Sequence, residues 1–143
     1  MKNIFCDDPK DWPTDVRVTL EASHDDDRGF IQCLVNLPTR NISLIFSKKG
    51  SVRSNHYHKT DWHYMYILSG SMEYYYRPQG ETGEIKKIKI KKGDMVFTPP
   101  MEAHTSFFPE DTEFLAISRN PRDQEAYEAD VVRVQLVDPE SLV

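Results

Sequence analysis

The 143-residue chain, 38% hydrophobic and 11% aromatic, has the size and composition of one domain around one buried core. Its formal charge of −5 argues against a general nucleic-acid binder, and no apolar run approaches the ~18–20 residues that span a bilayer. The opening MKNIFCDDPKDWP lacks the apolar stretch of a secretory signal, and Cys6 and Cys33 are too few for a disulfide framework; the expectation is a cytoplasmic protein with two free thiols and no membrane partner.

In chain order, short runs of β-branched and aromatic residues predict strands at 16–22, 30–36, 42–47, 52–58, 63–68, 71–76, 85–90, 94–98, 104–108, 113–118 and 131–136. Turn chemistry separates them: Ser69-Gly70, the 79–83 stretch and Lys92-Gly93-Asp94. A single short helix is expected over 122–129, with Pro121 near its start. Many short strands and one helix predict an all-β sandwich or barrel. The lysines of IKKIKIKK flank isoleucines in strand fashion, so this segment reads as a solvated face or protected sheet edge rather than a basic binding patch.

The chemistry lies in the five histidines. His56 and His58 are two apart in a predicted strand, so both side chains leave one face. His63 opens the next strand, and His104 follows a Pro-Pro turn much later. Such a set is able to converge on a point inside a barrel, where imidazoles suit borderline transition metals. His24, in an acidic turn, stands apart. Strand parity places Met65, Ile67, Met72 and Tyr74 inside, and Phe108 with His104. Tyr57, Tyr64, Tyr66 and Tyr75 take the opposite face, where they cover a second sheet or a contact surface.

The stretch Gly50-SVRSN-His56-Tyr57-His58-KTDW-His63-YMYILS-Gly70 resembles the first motif of the cupin family, with His63 where that family carries a glutamate. Gly93-DMVFT-Pro99-Pro100-Met101-EA-His104-TSF-Phe108 resembles the second, with Met101 replacing a glycine and Phe108 an asparagine. The resemblance implies a double-stranded β-helix, or jelly roll, over 1–143 as one domain. It also implies one divalent metal on His56, His58 and His104, with His63 as the fourth ligand. Four neutral imidazoles favour Zn, Ni or Fe over Mg or Ca.

A second resemblance, through Asp27-Arg28-Gly29 and the run from Gly50 to Lys59, is to cupins that process nucleotide sugars: 3,5-epimerases, 3,4-ketoisomerases and the cupin domain of capsular-sugar reductases. It departs from them at Ser54, where that group commonly has glycine. It implies phosphate contacts from Arg53 and Arg28, and proton transfer by His58 or Tyr74. Lys59, Met72 and Phe108 complete the expected substrate contacts. The implied function is isomerisation or epimerisation of a small anionic sugar derivative in surface-polysaccharide biosynthesis, by a homodimer. Two alternatives suit the same site: a metal-dependent oxygenase, decarboxylase or cyclase, and a non-catalytic sugar- or metabolite-binding cupin. Fold alone does not separate them.

Overall fold

The computed structural model describes residues 7–142, so Cys6 lies outside the described residues. Cys33 is a free thiol. Eleven strands appear: β1 (His24–Asp26), β2 (Gly29–Ile31), β3 (Asn41–Ser47), β4 (Val52–His58), β5 (His63–Ser69), β6 (Ser71–Pro78), β7 (Lys86–Lys91), β8 (Met95–Thr98), β9 (Glu102–Phe107), β10 (Thr112–Ser118) and β11 (Val131–Arg133). One α-helix, α1 (Gln124–Asp130), precedes β11, with Asp123 capping it by accepting from the Ala126 amide.

The strands form two facing antiparallel sheets, ordered β3-β10-β5-β8 and β11-β4-β9-β6-β7, with β1-β2 as a separate hairpin. From β3 to β11 successive strands alternate between the sheets except for the β6-β7 hairpin, which gives the jelly-roll arrangement. Between the sheets Met65, Ile67, Met72, Tyr74, Ile90, Val96, Phe108 and Phe114 form the main core. Period-two alternation selects them, because every second side chain of a strand faces the opposite sheet. On β7 Ile90 is buried and Ile88 half-buried while the lysines face solvent, and β7 is a sheet edge, as its lysine spacing predicts.

The structure departs from expectation in the N-terminal third. Residues 16–22 form no strand; Arg17 makes an isolated bridge to Val96, and Val18 bonds the Met95 carbonyl. Of 30–36, only residues 30 and 31 are paired. The rest runs irregularly over the outer face of the four-stranded sheet. There Trp12, Val18, Leu20, Leu34, Val35 and Leu37 pack on a second core of Trp62, Tyr64, Met95, Phe97 and Ile117. Tyr64, 5% exposed, and the half-buried Tyr66 are therefore covered by the chain itself, not offered to a partner. The exposed apolar side chains lie elsewhere: Ile42, Leu44 and Phe46 alternate along edge strand β3, and Phe30 and Ile31 project from the hairpin.

Candidate metal centre

Four of the five histidines meet inside one end of the barrel. On β4 a bulge opens between Ser54 and His56, where Ser54 and Asn55 adopt φ of 78° and 59°. Beyond it His56 sits opposite His104 of β9, while His58 pairs with Val131 on the other side. His63 starts β5 on the facing sheet. Ring centroids lie 4.7 Å apart for His56–His58, 4.8 Å for His56–His104, 5.6 Å for His58–His63 and 5.2 Å for His63–His104. All four rings are buried. Nitrogens of His56, His58 and His104 lie within 4.8 Å of one another, as do ligand atoms of His58, Asp61 and His63.

Hydrogen bonds settle which nitrogens are free. His104 Nδ1 lies 3.0 Å from the Glu102 carbonyl oxygen, which only accepts, so Nδ1 carries the proton and Nε2 keeps its lone pair. That Nε2, and Nδ1 of His63, are buried without a partner. His58 Nδ1 donates to Asp130 Oδ2 at 3.1 Å, which leaves Nε2 as its free nitrogen. Asp130 is itself held by the Thr60 amide and hydroxyl, both at 2.7 Å, and by the Asp61 amide. Burial opposes its charge, but those hydrogen bonds prevail and hold its carboxyl below the usual range.

Burial also pushes the imidazoles down, to about 2 for His56 and about 3 for His104. His58 is lowered and His63 lies well below its ordinary value, again chiefly through loss of water. At neutral pH the cluster is four uncharged rings with lone pairs available, which fits the donor set of a borderline divalent ion. Burial raises Asp61, behind the cluster, to about 6.

The rings close one end of a cavity of about 150 Å³. Its apolar wall is Ile45, Met65, Phe108, Phe114 and Ala116; its polar groups are Arg53, Ser54, Ser106, Arg122 and Tyr127. Of the residues expected to contact substrate, Phe108 and Arg53 are here, the latter exposed at the rim and bonded to Ser47 Oγ and the Phe46 carbonyl. The others are placed elsewhere. Tyr74 faces inward but lies behind His104, its ring stacked at 6.0 Å and its hydroxyl bonded to Thr98 and Glu102, so it does not line the cavity. Met72 is core. Lys59 is an exposed residue just past β4, and Arg28 pairs with Asp26 on the hairpin, where His24 is also exposed.

Sequence reasoning missed Arg122, Tyr127, Asp61 and Asp130. Strand parity carries no information across the loop that brings α1 over the cavity. The one available signal was the helix prediction itself, which placed a short element after β10 with no assigned task.

The family profile described as a cupin domain matches residues 44–118. No curated protein is significantly similar in sequence. Among solved structures, the dTDP-4-dehydrorhamnose 3,5-epimerase from Sulfolobus tokodaii superposes with a TM-score of 0.65 at 18% identity, covering 81% of this chain and 76% of its own. The sugar 3,4-ketoisomerase QdtA from Thermoanaerobacterium thermosaccharolyticum, in complex with TDP, gives 0.64 at 18% identity, covering 78% and 82%. The capsular polysaccharide assembling protein CapF from Staphylococcus aureus gives 0.60 at 23% identity; 85% of this chain matches 33% of that longer one. At these identities the likeness is one of fold.

Proposed function

This chain belongs to the cupin domain family, and from that premise we propose that it is a metal-dependent enzyme acting on a small, anionic, oxygen-rich molecule at a carbon beside a carbonyl. The observation carrying this reading is the convergence of four neutral, buried imidazoles on one cavity, two with nitrogens that have no partner. His56, His58, His63 and His104 would hold one divalent ion, Zn, Ni or Fe. When bound, the ion would supply Lewis acidity towards a substrate oxygen. With Nδ1 committed to Asp130, His58 has one nitrogen to give, and as a ligand it is not also a base. Ser54, Ser106 and Tyr127 supply the hydroxyl groups on the cavity wall, and the apolar wall limits access of bulk water.

The finer reading is a nucleotide-sugar epimerase or ketoisomerase reaction in surface-polysaccharide biosynthesis. It is supported by the resemblance over Gly50 to Lys59 and by fold likeness to proteins named for such reactions. A cavity of about 150 Å³ is smaller than the ~300–1,000 Å³ of typical ligand pockets, so only the reacting end would be enclosed. The test is elemental analysis of the purified protein together with a thermal-shift screen of nucleotide sugars and 2-oxo acids. Stoichiometric Zn, Ni or Fe and a shift with one substrate class support the reading. A metal-free protein that no anion stabilises would overturn it.

We also propose a homodimer. Ile42, Leu44 and Phe46 present an apolar row on an edge strand, and Phe30 and Ile31 project from the hairpin. Exposed rows of this kind mark contact surfaces.

A further inference from the structure

We propose that Arg122 is the residue that binds the substrate, and that the group it binds is a carboxylate. This rests on the reading that the histidine cavity is the substrate site, and it narrows the substrate to small carboxylic acids. A nucleotide sugar satisfies it only if its sugar carries a carboxylate.

The argument starts from what Arg122 lacks. Four other arginines have carboxylate partners: Arg17 pairs with Asp94, Arg28 with Asp26, Arg119 with Asp7 and Arg133 with Glu128. Arg122 makes no ion pair among the described residues, yet it is half-buried, and its Nε is buried with no hydrogen-bond partner. A donor shut away from water without an acceptor is costly, and guanidinium more than most. It is also held in place: its guanidinium carbon lies 5.5 Å from the Tyr127 ring centroid, a cation–π contact. Arg122 and Tyr127 both line the histidine cavity, so a guanidinium without a carboxylate partner borders that space.

A second unmet group shares the wall: Ser106 Oγ is buried without a partner. The guanidinium fork suits a planar, two-oxygen anion, and the hydroxyl suits a further oxygen on the same molecule. Size and surroundings suit a short carboxylic acid, whereas inorganic phosphate has no carbon skeleton to set against the apolar wall. About 150 Å³ corresponds to roughly five waters at ~30 Å³ each. The apolar side chains opposite suit the carbon skeleton of a short oxo or hydroxy acid.

The experiment titrates pyruvate, its neutral amide pyruvamide and inorganic phosphate into the zinc-loaded and the metal-stripped protein. Calorimetry reads affinity, and the Arg122 Nε–Hε resonance reads the site directly in the wild type. Pyruvate should move that resonance in both forms. Pyruvamide should bind at least about tenfold more weakly, and Arg122→Gln should lose about tenfold or more in pyruvate affinity, with Arg122→Lys between them. Metal content measured on the same samples should be unchanged in Arg122→Gln. A resonance that pyruvate leaves unmoved, equal binding of acid and amide, wild-type affinity in Arg122→Gln, or no binding below about 10 mM overturns the proposal. Tighter binding by phosphate, with the same resonance moving, replaces carboxylate by phosphate and overturns the class named here. A protein that never loads metal sinks the metal-dependent reading alone, because the stripped protein tests Arg122 independently.

Discussion

Asp130 does for His58 what no neighbour in sequence could do: it fixes which nitrogen bears the proton. Replacing Asp130 by Asn keeps an oxygen for Thr60 but lets an NH₂ group face His58 Nδ1, so the imidazole proton moves to Nε2 and blocks the lone pair. Zinc affinity of Asp130→Asn, measured by competition with a chelator, should fall about 10–100-fold with the fold intact by circular dichroism. Unchanged affinity would mean that His58 is not a ligand. The cluster also predicts an acid limb of stability in the metal-stripped protein. The four imidazoles titrate near 6.5 when unfolded and lower when folded, His56 at about 2 and His104 at about 3, so between those values the unfolded chain binds more protons. Their contribution is complete above about pH 6.5 and is lost as pH falls. Asp61 and Glu102, raised to about 6 and about 7, act in the opposite sense and offset part of it. Four depressed groups outweigh two raised ones, so denaturant midpoints of the stripped protein should fall steadily from pH 7 to pH 4.5. A flat or rising profile would contradict the burial of the cluster.

At the scale of elements, two residues stand where a jelly roll asks for glycine. Met101, at φ 66°, occupies the turn into β9 where the cupin motif carries glycine, and Ser54, at φ 78°, forms the bulge that turns β4 towards His104. An L-residue in this region costs about 1–2 kcal/mol. Met101 is 46% exposed, so its side chain recovers little by packing. Met101→Gly should therefore be neutral or more stable by up to about 1 kcal/mol in chemical denaturation. A clear loss of stability would show that the methionine has a packing role. Gly70 is the opposite case: at φ 86° a Cβ there would collide with the Asp111 carbonyl and Thr112, so Gly70→Ala should lower the melting temperature. The barrel strands were legible in sequence because alternation survives wherever one face is buried, as in Ile88 and Ile90 against the lysines of β7. The N-terminal segment was not. Its Val16, Val18 and Leu20 alternate like a strand, yet Val16 packs against the main core while Val18 and Leu20 serve as pegs on the outer face, and only an isolated bridge joins the segment to β8. The histidines were legible by parity for the same reason as the strands, whereas Asp130, 72 residues from His58, was not.

At the scale of the whole molecule, the row Ile42, Leu44 and Phe46 is where a second copy would seat. Phe46→Glu, placed among like residues on a sheet edge, should convert the dimer to a monomer in sedimentation velocity while leaving metal content unchanged. A wild-type protein that sediments as a monomer at working concentrations would refute the dimer.

The position of β10 in the four-stranded sheet governs how the chain is made. It lies between β3 and β5, so β3, with its apolar row, has no sheet partner until residues 112–118 have left the ribosome. At ~5–20 residues per second that wait lasts several seconds, during which an unpaired strand is available to any similar strand nearby. The yield of native protein is thus set by competition between synthesis and self-association, and slowing initiation or lowering temperature should raise the soluble fraction more than strengthening the core. A chain stopped before residue 112 should collect in the insoluble fraction, whatever the quality of its histidine strands.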